Sequence, residues 1–185
     1  MHPIARSIAT ALVAFAVLPA IAADFWSELA KPGAVVLIRH ANAPGVGDPE
    51  GFRLDDCPTQ RNLDDVGRAQ ARRLGDEFRR RKVQVGAVLA SQWCRTRDTA
   101  RLAFTDYRDE PVFNSFFRQS PEQREQQTSR ARALVTAWKG PGALVVFTHQ
   151  VNITALTGGG AASSEAVVVR PGKDGKLQVL GTFTP

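Results

Sequence analysis

Three unbroken apolar segments constrain the fold of this chain more than any other feature. Residues 34–40 (AVVLIRH), 85–91 (VGAVLAS) and 143–149 (ALVVFTH) are rich in β-branched residues, and each ends abruptly in polar side chains. A half-exposed strand alternates apolar and polar residues, whereas a continuous apolar run is typical of a strand that is covered on both faces. The three segments therefore predict the central strands of a parallel sheet with helices on each side.

Helical periodicity appears between these strands, with apolar residues recurring every three or four positions. Four helices are predicted in this way, at residues 62–81, 95–104, 121–139 and 151–157. Residues 165–170 and 177–183 flank a Gly-Lys-Asp-Gly segment, so they predict a C-terminal hairpin. Alternating strands and helices indicate an α/β fold with a mostly parallel central sheet, and residues 43–60 are left as one long loop after the first strand.

Residues 1–22 (MHPIARSIATALVAFAVLPAIA) predict a cleavable signal peptide. Arg6 supplies a positive start, residues 8–20 an apolar region, and Ala20-Ile21-Ala22 a cleavage pattern of small residues. The apolar region is shorter than the roughly 20 residues of a transmembrane helix. A buried N-terminal helix is the alternative. We expect residues 23–185 to form one periplasmic or secreted domain, without stable membrane insertion after cleavage.

Export changes the meaning of the scarce residues. The chain has three histidines and two cysteines, and removal of residues 1–22 would leave only His40 and His149. Cys57 and Cys94 lie 37 positions apart, and in an oxidising compartment two cysteines are more often bridged than free. A disulfide is therefore predicted, with two buried free thiols as the alternative.

The chain carries a formal net charge of +6, to which the arginines of residues 62–81 contribute. These arginines lie mostly outside the apolar stripe of that helix. A nucleic-acid-binding stripe is one interpretation, but we prefer a solvated helix face, because an exported protein rarely meets such a target. We accordingly expect no nucleic-acid partner, and we expect the protein to be a monomer.

Both remaining histidines directly follow predicted strands. Ligands of open α/β sheets bind at the carboxyl ends of the strands, where Arg39 precedes His40 and Arg95 opens the helix after the second strand. A single histidine at such a position is more often structural than catalytic, but here both occupy one. Arginine offers paired donors that match phosphate oxygens, and imidazole can attack phosphorus. The four side chains predict a site for a phosphate dianion.

Four short motifs in this order resemble the histidine phosphatase superfamily (phosphoglycerate mutase-like, branch 1). The motifs are Leu37-Ile38-Arg39-His40-Ala41, the helix segment at 63–71 (LDDVGRAQA), the block at 91–100 (SQWCRTRDTA), and Thr148-His149. The resemblance spans residues 35–149 and implies a three-layer sandwich.

The resemblance also implies a mechanism. His40 would attack phosphorus and form a transient phosphohistidine, while Arg39, Arg95 and His149 would bind the phosphoryl oxygens. Asn42 and Gln150 are further candidate substrate-binding residues. No cofactor is implied, and the sequence offers no convincing metal-binding cluster.

Several positions depart from the family pattern. Ala41 replaces the signature glycine, and Ala43 replaces a common Ser or Thr. The stretch at 112–117 (VFNSFF) lacks the carboxylate that serves many relatives as general acid. Asp109 and Glu110 lie just before it and are the candidate general acids, while Asp55 and Asp56 lie in the long loop after the first strand, so the acid stays unassigned.

The sequence therefore predicts an exported phosphatase. Its substrate is expected to be a small phosphorylated molecule or an envelope glycan phosphate, because short exported relatives include the lipopolysaccharide core heptose phosphate phosphatases. The alternative is a catalytically weak phosphate-binding module that lacks the general acid.

Overall fold

The structure is a computed structural model that describes residues 25–172 and 174–185. Its centre is a six-stranded sheet in the order β3-β2-β4-β1-β5-β6. The first four strands in this order are mutually parallel, and the last two form an antiparallel hairpin attached to β1. The strands are β1 (Val35–Arg39), β2 (Val85–Ala90), β3 (Arg108–Asp109), β4 (Ala143–Thr148), β5 (Ala166–Pro171) and β6 (Leu177–Phe183).

Helices cover both faces of this sheet, because the central strands present apolar side chains in both directions. The helices are α1 (Phe25–Leu29), α2 (Asp65–Arg80), α3 (Cys94–Phe104), α4 (Pro121–Ala137) and α5 (Gln150–Thr157). Val36 and Ile38 of β1 belong to a buried cluster with residues of α1, α2 and α3. Val35 and Leu37 belong to a second cluster with residues of α4 and α5. The predicted α/β three-layer sandwich is confirmed.

The loop after β1 lies directly against the start of α2. Asp64 caps this helix by accepting a hydrogen bond from the backbone N–H of Gly67 at 2.7 Å. A Cβ atom on Gly67 would stand 2.1 Å from the carbonyl oxygen of Asn42, so this approach requires glycine. The close contact fixes the path of the chain immediately after His40.

The predicted helices and strands are present, with boundaries that differ by a few residues at most. Residues 62–64 precede α2, since Asp64 is its cap. Besides two short 3-10 helices at Cys57–Thr59 and Pro111–Phe113, one α-helix and one strand of the described residues were not predicted. Helix α1 has only five residues and is held by Phe25 and Trp26 against Phe183 of β6. Strand β3 has two residues, too few for a pattern. The predicted signal peptide, residues 1–22, lies outside the described residues. Within residues 25–172 and 174–185, no helix is long and apolar enough to span a membrane.

Candidate active site

The two histidines meet at the carboxyl edge of the sheet. Strands β1 and β4 pair in parallel with Arg39 opposite Thr148, so the residues that follow them are neighbours. The imidazole centroids of His40 and His149 are 5.5 Å apart, and each residue is only 3% exposed. The backbone N–H of His40 donates to the carbonyl of Thr148 at 3.0 Å, which locks the two strand ends together.

The contacts of His40 define its tautomer. Its Nδ1 lies 2.8 Å from the carbonyl oxygen of Ala41. A carbonyl oxygen only accepts hydrogen bonds, so Nδ1 carries the proton and Nε2 keeps a free lone pair. Burial, together with the positive charge of Arg95, lowers the pKa of His40 to about 3. The neutral form that a nucleophile requires is therefore the stable form at neutral pH.

His149 is equally buried and contacts a different set of groups. Its Nε2 lies 2.8 Å from the hydroxyl oxygen of Ser91, and its ring meets the indole of Trp93 edge-on at 5.3 Å between centroids. Burial lowers the pKa of His149 well below its ordinary value, and the adjacent His40 and Arg95 lower it further. Both imidazoles are thus neutral and available as hydrogen-bonding groups.

Arg39 and Arg95 lie beside the histidines, and each keeps an Nε donor that is unused among the described residues. Arg39 donates through Nη1 to the carbonyl of Ala161 at 3.0 Å and to Oε1 of Gln150 at 3.4 Å. Arg95, 3% exposed, binds Asp48 through both Nη atoms. Within the described residues, the buried Nε atoms of Arg39 and Arg95 make no hydrogen bond. Burial and the charge of Arg95 lower the pKa of Arg39, a repulsion that a bound anion would relieve.

These groups line a cavity of about 340 Å³. Its buried floor contains both histidines and Arg95, while Val46 and Phe117 at its rim are strongly exposed. Four arginines line it, namely Arg39, Arg61, Arg95 and Arg118. The cavity walls therefore carry a positive charge that Asp48 offsets only in part, which suits an anionic ligand.

Asp48 connects three separate segments around this cavity. Its Oδ1 accepts from Arg95 Nη1 at 2.6 Å and from the backbone N–H of Arg61 at 3.2 Å. Its Oδ2 accepts from Arg95 Nη2 at 3.1 Å and from Trp93 Nε1 at 3.0 Å. The carbonyl of Asp48 accepts from Arg118 Nη2 at 2.9 Å. Asp48 and Arg61 were not predicted, because no local pattern distinguishes them within an irregular loop.

The predicted disulfide is present and lies beside the cavity. Cys57 and Cys94 are bonded, with their Cα atoms 5.6 Å apart. The bond joins the long loop after β1 to the first residue of α3, next to Arg95. The side chain of Gln60 strengthens this attachment by accepting from the backbone N–H of Cys94 at 3.0 Å. The loop that carries Asp48 is therefore fixed to the helix that carries Arg95.

A family comparison agrees with this geometry. Residues 35–118, somewhat less than half of the chain, match the family model described as "Histidine phosphatase superfamily (branch 1)". The matched segment begins at β1 and ends before α4. It includes His40, Arg95 and Asp48, whereas His149 lies beyond it. No curated protein sequence matches the chain significantly.

Solved structures of histidine phosphatase-like proteins share the fold. A putative phosphohistidine phosphatase SixA from Agrobacterium tumefaciens is 20% identical, with a TM-score of 0.57, and the match covers 84% of this chain and 99% of that one. A phosphoglycerate mutase from Thermus thermophilus is 20% identical, with a TM-score of 0.58 and coverage of 82% and 99%. A mycobacterial glucosyl-3-phosphoglycerate phosphatase in complex with VO3 is 16% identical, with a TM-score of 0.54 and coverage of 79% and 96%. At these identities the likeness establishes the fold.

The two candidate general acids lie outside the cavity. Asp109 accepts from Nε of Arg97 at 3.0 Å, and Glu110 caps a short 3-10 turn by accepting from the backbone N–H of Val112. Neither lines the cavity. The structure therefore does not support their assignment, since each carboxylate is engaged in holding the chain after β3.

The two candidate substrate-binding amides differ in position. Gln150 lines the cavity, where its Oε1 also accepts from the backbone N–H of Ala161 at 3.1 Å. Asn42 does not line it, because its amide donates to Asp64 at the start of α2 at 2.8 Å. Asn42 thus supports the loop and does not reach the cavity. Across the described parts of the chain, no group of three or more His, Cys, Asp or Glu residues could hold a metal ion.

Proposed function

We propose that this protein is an exported phosphatase that hydrolyses a phosphomonoester through a phosphohistidine intermediate on His40. One observation carries the proposal: two buried neutral imidazoles share one cavity with two arginines whose Nε donors are unused in the described structure. A phosphate dianion supplies the acceptors and the negative charge that this arrangement lacks. The family match over residues 35–118 supports the same interpretation.

The proposed reaction follows from the tautomer of His40. Its free Nε2 attacks phosphorus while Nδ1 donates to the carbonyl of Ala41, which keeps the ring oriented. Arg39, Arg95 and His149 hold the phosphoryl oxygens and stabilise the charge that develops in the transition state. A water molecule then attacks the phosphohistidine and releases inorganic phosphate.

Export is part of the proposal. The sequence of residues 1–22 supports it, and the Cys57–Cys94 disulfide is compatible with an oxidising compartment. Amino-terminal sequencing of the exported protein tests this step, and Ala23 is the expected first residue. Retention of residues 1–22 on the exported protein would contradict it.

We propose two candidate substrate classes. A small phosphomonoester is one, and an envelope glycan phosphate is the other, because the short exported form resembles the lipopolysaccharide core heptose phosphate phosphatases. The first candidate draws support from a protein of the same fold, the mycobacterial phosphatase, whose name gives glucosyl-3-phosphoglycerate as its substrate. The heptose resemblance rests on the short length of the chain and its predicted signal peptide alone.

A second candidate function is a phosphate-binding module with little or no turnover. The observation in its favour is the position of Asp109 and Glu110, which are bonded elsewhere and cannot protonate a leaving group in the cavity. Such a module would bind phosphate through the same arginines without releasing an alcohol.

Hydrolysis of p-nitrophenyl phosphate in EDTA distinguishes the two functions. We expect the purified exported protein to turn over this substrate, and quenching in alkaline denaturant, where phosphohistidine is stable, to trap phosphate on His40. The variant His40→Ala should show neither property. Activity that survives in His40→Ala would exclude the nucleophile, whereas phosphate binding without any turnover would favour the module.

A further inference from the structure

The rim of the cavity carries exposed apolar side chains. In the part of the chain that the structure describes, four large apolar residues are strongly exposed: Val46, Val66, Phe117 and Val179. Two of them, Val46 at 93% and Phe117 at 59% exposure, line this one cavity. Exposed apolar groups that gather at the mouth of a pocket mark a binding surface, whereas single ones elsewhere do not.

An aromatic wall continues from this rim towards the floor. Phe52 and Trp93 line the cavity with their ring centroids 5.7 Å apart, and the Trp93 indole is held by Asp48. The guanidinium of Arg118 lies 5.9 Å from the Phe52 ring, within cation–π range. Arg118 is itself tied to the carbonyl of Asp48. Contacts with Asp48 and Arg118 therefore hold the rings of Trp93 and Phe52 in place.

The cavity also lacks a group that could protonate a poor leaving group. Among the described residues, Asp48 supplies the only carboxyl group that lines it. Burial raises the pKa of Asp48, but hydrogen bonds from Arg95 and Trp93 and the charge of Arg95 lower it below its ordinary value. Asp48 is therefore a carboxylate that accepts hydrogen bonds, and it has no proton to give.

We propose that the substrate is an aryl phosphate, a phosphomonoester of an aromatic hydroxyl group whose ring packs against Val46, Phe52 and Phe117. This inference rests on the proposed phosphatase function and narrows its substrate. A phenolic hydroxyl has a pKa of about 10, far below the value of about 15.7 for water, so an aryloxide departs without a proton donor. The ring fills the apolar part of a cavity whose charged floor binds the phosphate.

The reaction balances without a further reactant. The bond between His40 Nε2 and phosphorus forms as the bond between phosphorus and the aryl oxygen breaks, and the aryloxide leaves with the bonding electron pair. The aryloxide takes a proton from water. The hydroxide that remains takes a proton from a second water as that water attacks phosphorus. The Nε2–P bond breaks, its electron pair returns to Nε2, and hydrogen phosphate leaves with His40 neutral again. The sum is aryl phosphate plus water giving a phenol plus hydrogen phosphate.

A sugar phosphate fits this rim less well. Its hydroxyl groups would lose hydrogen bonds to water on entering a wall formed by Phe52, Trp93 and Phe117. Release of a sugar alkoxide would also require the proton donor that the cavity lacks. The apolar rim therefore favours the small phosphomonoester over the envelope glycan phosphate.

Three substrates test the two parts of this inference separately. Phenyl phosphate has a ring and a phenolic leaving group, benzyl phosphate has a ring and an alcohol leaving group, and glycerol 3-phosphate has neither. General acid catalysis contributes typically about 10²- to 10⁴-fold, so kcat/KM for phenyl phosphate should exceed that for benzyl phosphate by about 100-fold. Equal kcat/KM values for these two substrates would reveal a proton donor and overturn the aryl assignment.

Binding of inert analogues tests the rim without relying on turnover. Calorimetry should show phenylphosphonate binding about tenfold more tightly than methylphosphonate, which corresponds to about 1.4 kcal/mol. Phe117→Ala should reduce this preference to about threefold. Val66→Ala is the matched control, because Val66 is 57% exposed on α2 and does not line the cavity. Its preference should match that of the unmodified protein.

The outcomes separate this inference from the proposed function. A preference for phenylphosphonate without turnover of any ester would support the aromatic site and reject the phosphatase. Turnover of all three esters at similar kcat/KM, with equal binding of the two phosphonates, would support the phosphatase and reject the aromatic site.

Discussion

The segments that follow β1 and β4 place equivalent histidines by opposite means. After β4 the chain enters α5 at once, and backbone N–H groups of Asn152 and Ile153 donate to the carbonyl of His149. After β1 it runs through a loop of more than twenty residues before α2 begins. That loop is held by groups distant in sequence, including the Cys57–Cys94 bond and the Asp48–Arg95 pair.

The difference shows where the site is adjustable. A histidine at a helix start is oriented by the local backbone, so its surroundings tolerate little change. The loop after β1 supplies Val46, Asp48, Phe52 and Arg61 to the cavity, and its position depends on a few strong cross-links. We expect catalysis to depend on both segments. Substrate specificity, and the loss of stability when a single cross-link is removed, should depend mainly on the loop.

Replacing each histidine in turn should produce the largest effects and should distinguish the roles of the residues at the two strand ends. His40→Ala is expected to lower kcat/KM for p-nitrophenyl phosphate by at least about 10⁴-fold, because it deletes the nucleophile. His149→Ala should cost about 10²- to 10³-fold, since it removes one stabilising group. His149→Ala quenched in alkaline denaturant should still contain phosphohistidine. Equal losses in the two variants, without any trapped intermediate in His149→Ala, would contradict this division.

Removal of the disulfide should affect the first segment more than the second. Cys57 and Cys94 enclose a loop of 37 residues, so replacing both by serine should lower the free energy of unfolding by about 3–4 kcal/mol in the chain-entropy model. Urea denaturation measures this loss, and the reduced wild-type protein serves as its control. Hydrogen exchange through global unfolding should become faster throughout the domain, and exchange through local opening should add a further increase at residues 43–61 that residues 150–157 do not show. An equal increase in the two segments would argue against independent support.

Asp48→Asn should break the ion pair that ties the loop to α3. Both side chains are buried, and loss of one partner in such a pair costs about 3 kcal/mol. Added phosphate should restore more stability to this variant than to wild type, because the anion pairs with the freed Arg95. The control is Asp98→Asn, which breaks an exposed pair with Arg101 and should cost at most about 1 kcal/mol. An Asp48→Asn protein as stable as this control would refute the role of Asp48.

Acid should destabilise the protein through both histidines. The unfolded chain takes up a proton on histidine near pH 6.5, whereas folded His40 does so only near its pKa of about 3. The unfolded state thus binds more protons between these values, and the free energy of unfolding should fall by up to about 1.4 kcal/mol per pH unit for His40. NMR of the imidazoles checks the cause directly, since neither signal should titrate between pH 8 and 5. A midpoint near 6.5 for either ring would contradict the neutral site.

Gln150→Ala should have the smallest effect, because it removes weak support from the locally built segment. Gln150 accepts from Arg39 at 3.4 Å and from the backbone N–H of Ala161 at 3.1 Å. Loss of such contacts costs about 1 kcal/mol, so kcat/KM should fall about fivefold. Thr154→Ala removes only the outer hydrogen bond of Gln150 and should leave kcat/KM within about twofold. A loss above about 100-fold for Gln150→Ala would place it among the essential groups.

The sequence predicts the parts of this molecule that depend on local pattern. Continuous apolar runs identified the central strands, and their polar ends identified His40, His149, Arg39 and Arg95. Asp48 and Arg61 were not predicted, because their positions depend on a loop whose path is set by contacts between residues distant in sequence. Helix α1 was missed for a similar reason: five residues are too few for a stable isolated helix, and contacts with β6 supply the stability.

The contact between α1 and β6 has a consequence for the order of folding. Phe25 stacks on Phe183 with ring centroids 5.9 Å apart, and Arg170 donates to the carbonyl of Glu28 at 2.9 Å. These partners are separated by most of the chain, so α1 can dock only after the C-terminal hairpin has formed on the sheet. Closure of such a long loop is entropically costly. We therefore expect the packing of α1 against β6 to form late in folding and to open early in unfolding.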